Sequence, residues 1–256
     1  MHYIDEVSME KLNKVNTSSW NTAKDNVFLR LINEKYLSKY GENVAYTKFL
    51  DLAVVFSLQE KKDNTIVSHL LTKEELSKFN VDIDEVKKTA LCNSSNDRKR
   101  RVMTFKQHIL KDNILYPILR MPKQSMMGVS SRSMPDIGIV EDIDEENNRD
   151  NVLMICNKHD TFGASYMVIP EVLEEVYERF SEENFYVIPL SVHQVMCIRH
   201  GYASHEGEKP QHEVEDDLLD MIEEFNDSNN KSWKDILSYK IYYYYGDDGK
   251  KLFPIN

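Results

Sequence analysis

The sequence predicts an α+β protein, with a mixed or mainly antiparallel sheet and helices packed on one face of it; its two halves share a ββα pattern that is either a pseudo-repeat or a coincidence of the common hairpin-then-helix arrangement. Three observations point there. Apolar, β-branched and aromatic runs recur in pairs separated by turn residues: LDLAVVFSLQ (50–59) with TIVSHLL (65–71), and VLMICN (152–157) with ASYMVIP (164–170). Each pair is followed by a helix-start signal. Gly and Pro number only 8 and 7 in 256 residues, so ordered elements rather than linkers should fill most of the chain.

Taken in order, residues 1–18 are polar and carry no strong period. Trp20, Ala23, Val27 and Leu31 share one helical face, yet VFLRLI (27–32) reads equally well as a strand. The strand pair 50–59 and 65–71 turns at KKDN (61–64). Thr72 followed by Glu75 forms a capping box, so a helix should begin at Lys73. Asp82 and Glu85 repeat that spacing and predict a second helix start. Arg98, Lys99, Arg100 and Arg101 form a basic run, and Thr104 could cap a short helix, FKQHIL. ILYPILRM (114–121) reads as a strand or an extended arm.

The character then changes. PKQSMMGVSSRSMPD (122–136) is small, polar and Met-rich, and EDIDEENNRD (141–150) sets six acids against one arginine. Residues 122–150 are expected to link an N-terminal half, 1–121, to a C-terminal half, 151–256. In the second half Pro170 sits where a helix can start, because its missing N–H has no intrahelical partner there. Val172, Leu173, Val176 and Phe180 make the apolar stripe of that helix. FYVIPL and VHQVMCI follow as strands, then a loop from His200, then an amphipathic helix over 213–225 with Leu218, Leu219, Ile222 and Phe225 inward. GDDG (246–249) should join a Tyr-rich strand to LFPI in a hairpin.

Several of these stretches together resemble an uncharacterised family of bacterial proteins of unknown function that recurs in clostridial genomes. They are NVFLRLIN, KFLDLAVVFSL, FGASYMVIPEVLEEVYERF with FYVIPLSVHQV, and SYKIYYYY, and they cover roughly residues 20–110 and 150–250. The chain departs from the family in lacking its longer N-terminal segment, in residues 122–150, and in having KFNV at Lys78–Val81 where the family has a Trp-Gly pair. The resemblance implies a single α+β protein of the bacterial cytosol, and carries over neither an activity nor site residues.

Composition narrows the function classes. A net charge of -11 disfavours non-specific binding to nucleic acid or anionic membrane. The N-terminus lacks the layout of a signal peptide, and no apolar run nears the roughly 18 residues of a membrane span. Three cysteines without CxxC spacing fit a reducing cytoplasm. No Gly-rich phosphate loop, zinc spacing or dinucleotide fingerprint occurs, so no cofactor and no metal are expected.

The candidate chemistry lies in PLSVHQVMCI. Ser191 and His193 are two apart, so on a strand they share a face about 7 Å apart, too far for a nucleophile and its base. A bend at Pro189 with Ser191 serving the backbone is the simpler reading, and His193 is the leading single candidate. His159 and Asp160 lie in the turn HDTFG, where Asp160 and Gly163 would shape the bend. His200, His205 and His212 with Glu206 and Glu208 fit no metal geometry and read as a solvated loop. Asp216, Asp217 and Asp220 lie opposite an apolar stripe, as on an ordinary charged face. Arg98–Arg101 could hold phosphate or pair with the acidic stretch 141–150. Of Tyr242, Tyr243, Tyr244 and Tyr245, one alternate pair should face the core and the other should be an exposed partner surface. The leading expectation is a cytosolic, non-enzymatic binding or regulatory protein with a protein partner. The alternatives are a hydrolase using His193 with Ser191 or Asp160, and an acidic inhibitor that mimics nucleic acid.

Overall fold

The computed structural model describes residues 2–5, 19–62, 65–98, 100–105, 107–108, 143–144, 149–158, 161–228, 232–246 and 249–255. His159, Asp160, Lys99 and nearly all of the 122–150 stretch lie outside these residues, as do 114–121 and the KKDN and GDDG turn centres.

The first half builds a five-stranded sheet. Its strands are β1 (His2–Asp5), β2 (Val27–Asn33), β3 (Tyr46–Phe49), β4 (Leu52–Lys62) and β5 (Thr65–Leu70). The long strand β4 organises it: β2 lies antiparallel along one edge, and β3 and β5 share the other. β1 adds to β5 in the parallel sense. The ambiguous segment 20–32 resolves into both readings, a short helix α1 (Trp20–Ala23) and then strand β2. Both predicted helix starts hold. The Thr72–Glu75 capping box opens α2 (Lys73–Phe79), and the Asp82 carboxylate accepts the Glu85 N–H at the start of α3 (Ile83–Ser95). α3 runs along β2, where the Ser94 hydroxyl accepts the Leu29 N–H at 3.0 Å, so a side chain serves a strand edge group.

The second half builds an all-antiparallel six-stranded sheet in the order β13-β12-β10-β11-β9-β6. Its strands are β6 (Arg100–Thr104), β9 (Val152–Asn157), β10 (Phe185–Ser191), β11 (Gln194–Arg199), β12 (Ile241–Tyr245) and β13 (Lys251–Ile255). β7 (Ile143–Asp144) and β8 (Arg149–Asp150) form a separate small ribbon. Two sheets thus replace the single sheet of the sequence reading, and β6 crosses from the first half into the second sheet.

The ββα repeat is not seen. ASYMVIP is a buried 3-10 turn over Gly163–Val168 instead of a strand. The reason is topological: β9 already pairs with β6 on one edge and β11 on the other, so no edge remains for 164–170. Gly163 packs against backbone so closely that a Cβ would lie 2.7 Å from the Asn157 nitrogen and 2.6 Å from the His193 carbonyl oxygen.

Helices cover both faces of the second sheet, which corrects the expectation of one covered face. α4 (Pro170–Arg179) buries Val172, Leu173 and Val176 against Phe185, Val187 and Tyr244. On the opposite face a short helix α5 (His200–Ala203) and the long α6 (Gln211–Ser228) pack Val214, Met221 and Ile222 on Tyr186, Ile188 and Tyr243. β10 and β12 are apolar at successive positions, so both faces need cover. The first core cluster draws from β2, β4, α3, α4, β9 and β12 alike, so the two halves share one hydrophobic core. A hydrogen bond from the Tyr242 hydroxyl to Asp51 at 2.9 Å also joins them.

Candidate functional site

His193 sits in the tight turn between β10 and β11. Its Nδ1 accepts the Phe162 N–H at 3.1 Å, and Nε2 faces Asp235 Oδ1 at 3.4 Å. Accepting at Nδ1 puts the ring proton on Nε2, toward the carboxylate. Neither nitrogen then offers a lone pair to a nucleophile. The Ser191 hydroxyl is buried and accepts the His193 backbone N–H at 3.1 Å. Among the described residues no hydrogen bond links Ser191 to the imidazole. The bend at Pro189 is real: the β10–β11 register shifts between Ile188 and Ser191. Asp235, missed in the sequence, reaches the turn from a loop far along the chain, and no local spacing could have shown it. Cys156 and Cys197 are buried and in no disulfide, and burial pushes the Cys197 thiol well up from its ordinary pKa.

The basic run is divided among local roles. Arg100 pairs with Glu175 of α4 at 3.0 Å, and Arg101 donates to the carbonyls of Arg98 and Arg100. Asp150, from the acidic stretch, pairs with Arg179 at 2.6 Å instead of with this run.

The tyrosine strand also departs from expectation. Tyr242, Tyr243 and Tyr244 are all buried, and only Tyr245 is half-buried. Tyr244 stacks on Phe185 at 4.8 Å on one face, and Tyr243 meets Tyr186 edge-on at 4.8 Å on the other. No exposed tyrosine pair remains, because α6 covers the face that the sequence reading left open.

The 200–210 segment is built as well. Arg199 is 1% exposed, and its guanidinium is held by Asn151, by Glu183 at 2.8 Å and by Glu206 at 2.6 Å. Glu183 turns its other oxygen to the Gly201 N–H. Glu206 therefore reaches a buried arginine from an exposed loop, in which His205, Gly207 and Glu208 are exposed as well. Among the described residues no group of three or more His, Cys, Asp or Glu is placed to hold a metal ion.

What stays open is the outside of α6. Glu213, Asp216, Asp217, Asp220, Glu223, Glu224 and Asp227 are exposed along it, on successive turns. From Glu213 to Asp227 the row is about 21 Å long. Among the described residues Asp217 alone in this row has an ion-pair partner, Lys209. The exposed large hydrophobic side chains among the described residues are Tyr239 and Phe253, at 38% and 46%. Tyr239 donates to Asp227 at the far end of α6. Phe253 stands at the near end, where Gln211, Glu215, Tyr243, Tyr245 and Lys251 join it in lining a groove of about 720 Å3. The sequence marked the acids as an ordinary outer face and gave no sign of the groove, which strand pairing assembles from α6, β12 and β13.

A family model described as a family of unknown function (DUF5688) matches residues 1–245. The chain belongs to that family. No curated protein and no solved structure matches it. The residues matched to DUF5688 include α6 and β12 and stop before β13, so Phe253 and Lys251 lie beyond the match. Among the described residues no helix is long and apolar enough to cross a membrane.

Proposed function

We propose that this is a non-enzymatic binding protein that docks the cationic face of a protein partner on the outer side of α6. One observation carries the reading: the carboxylate row of α6 is bracketed at its two ends by Tyr239 and Phe253, the exposed aromatic side chains among the described residues. Aromatic anchors beside a rim of like charge are what a selective interface requires. The anchors supply buried area, and the charge steers a complementary partner and rejects others. The candidate nucleophile and base support the same reading, since Ser191 and His193 are spent on the β10–β11 turn. Three cysteines outside any disulfide support a reducing, cytoplasmic setting. A narrower form is favoured by the regular turn-by-turn spacing of the acids: mimicry of nucleic acid toward a DNA- or RNA-binding partner.

The test is affinity capture from cytosol with the wild type and with the triple variant Asp216→Lys, Asp220→Lys, Glu223→Lys. The expected result is a stoichiometric basic protein that is lost from the variant and released by ~0.5 M salt. Competition by duplex DNA selects the mimicry form. A partner retained by the variant, or substrate turnover abolished by His193→Ala, overturns the reading.

A further inference from the structure

We propose that the groove between the start of α6 and the β12–β13 hairpin is a pocket for an arginine side chain. The proposal rests on the cationic-partner reading and names the chemical group that anchors that partner.

The geometry begins with strand register. Tyr243 pairs with Phe253 and Tyr245 with Lys251, so these side chains stand on one face of the hairpin, the face turned to α6. Tyr243 and Tyr245 meet edge-on at 4.6 Å, and Tyr245 and Phe253 at 5.6 Å. The result is an angled aromatic wall. Glu215 of α6 lies across from it, with one carboxylate oxygen accepting from Gln211 at 2.6 Å. An aromatic wall facing a carboxylate is the arrangement that binds an organic cation, through the ring quadrupole and the ion pair together. The acidic row continues from Glu215 along the helix, so the whole approach favours positive charge. Lys251 is the cation on the lining, and it is exposed, so water and salt screen it.

Arginine fits better than lysine for two reasons. Its planar guanidinium is weakly hydrated and stacks on rings, and its five donors can use a carboxylate and hydroxyls at once. The fold already makes this contact internally: the Arg30 guanidinium lies 3.6 Å from the centroid of the Phe162 ring. Behind Tyr243, the fully buried Tyr186 hydroxyl has no hydrogen-bond partner among the described residues. Burial first, then Tyr243, Glu215 and Tyr245, raise its pKa, which agrees with its lying against the same wall.

The test uses two labelled peptides of equal length and charge, one alternating Gly and Arg and one alternating Gly and Lys, titrated by fluorescence anisotropy at ~50 mM salt. The wild type should bind the arginine peptide about tenfold tighter. Glu215→Gln and Phe253→Ala should each bring the two affinities together. Asp220→Lys should weaken both peptides and leave their ratio. Phe253 is 46% exposed, so its variant keeps the fold, which an unchanged unfolding midpoint verifies. Equal binding of both peptides by the wild type overturns the pocket and leaves the cationic-partner reading standing. Binding of neither overturns both. An arginine preference that survives Glu215→Gln and Phe253→Ala puts the selectivity elsewhere and overturns the pocket. Displacement of the peptide by tetramethylammonium chloride beyond that by sodium chloride marks a general organic-cation cage and overturns the arginine assignment.

Discussion

Arg199 and the outer face of α6 are close in sequence and treat charge in opposite ways. At Arg199 a guanidinium is buried, and Asn151, Glu183 and Glu206 converge on it. At α6 the carboxylates stand in water, and only Asp217 among the described residues has found a cation. The His193 turn belongs with Arg199, because its ring and its neighbour Ser191 are absorbed by backbone and by Asp235. Density of charged or titratable groups is therefore a poor guide to function in this protein. The better guide is whether the fold has already consumed their hydrogen-bonding capacity.

Substitutions on the two sides should separate stability from binding. Arg199→Met leaves Glu183 and Glu206 gathered without their cation and should destabilise by about 3 kcal/mol, read as a lower urea midpoint. That is at the low end for a buried pair, because both acids can still reach water. Thr72→Ala, at the capping box, should cost about 1 kcal/mol in the same assay. His193→Ala should also cost about 1 kcal/mol, through the lost Phe162 contact, and leave partner capture intact. The triple charge reversal on α6 should move stability by no more than about 0.5 kcal/mol while abolishing capture. A large stability loss in that variant would put α6 on the same footing as Arg199.

Glu75 gives a pH signature on the structural side. Burial acts to raise its pKa, but hydrogen bonds from His69 and Thr72, with the His69 charge, win and hold it at about 2, below the ordinary 4.5. A depressed carboxyl pKa contributes stability that is fully present above the ordinary value and is lost as pH falls toward the folded one. Between pH 4.5 and 2 the wild type should therefore lose stability faster than Glu75→Gln, measured as urea midpoint against pH.

Local rules made much of the fold legible. The Thr72–Glu75 and Asp82–Glu85 caps, Pro170 at a helix start, and the stripe Val172, Leu173, Val176 and Phe180 all depend on neighbours within a turn or two, and all appear as read. Reading failed where the outcome depended on distant partners. ASYMVIP has strand composition, but both edges of β9 were taken by β6 and β11. The tyrosines of β12 alternate as expected, but a helix buries the face they were meant to expose.

By itself, then, the sequence determined the capped helices, most of the strands, the α+β class and an acidic outer stripe on α6, because each follows from period, local hydrogen bonding or composition. Only the tertiary structure decided that the five- and six-stranded sheets share a core, that Asp235 meets His193, and that Tyr245, Phe253 and Glu215 surround one groove. Those facts arise from strand pairing and packing between residues far apart in the chain, and no local pattern encodes which distant edge or face a segment will meet.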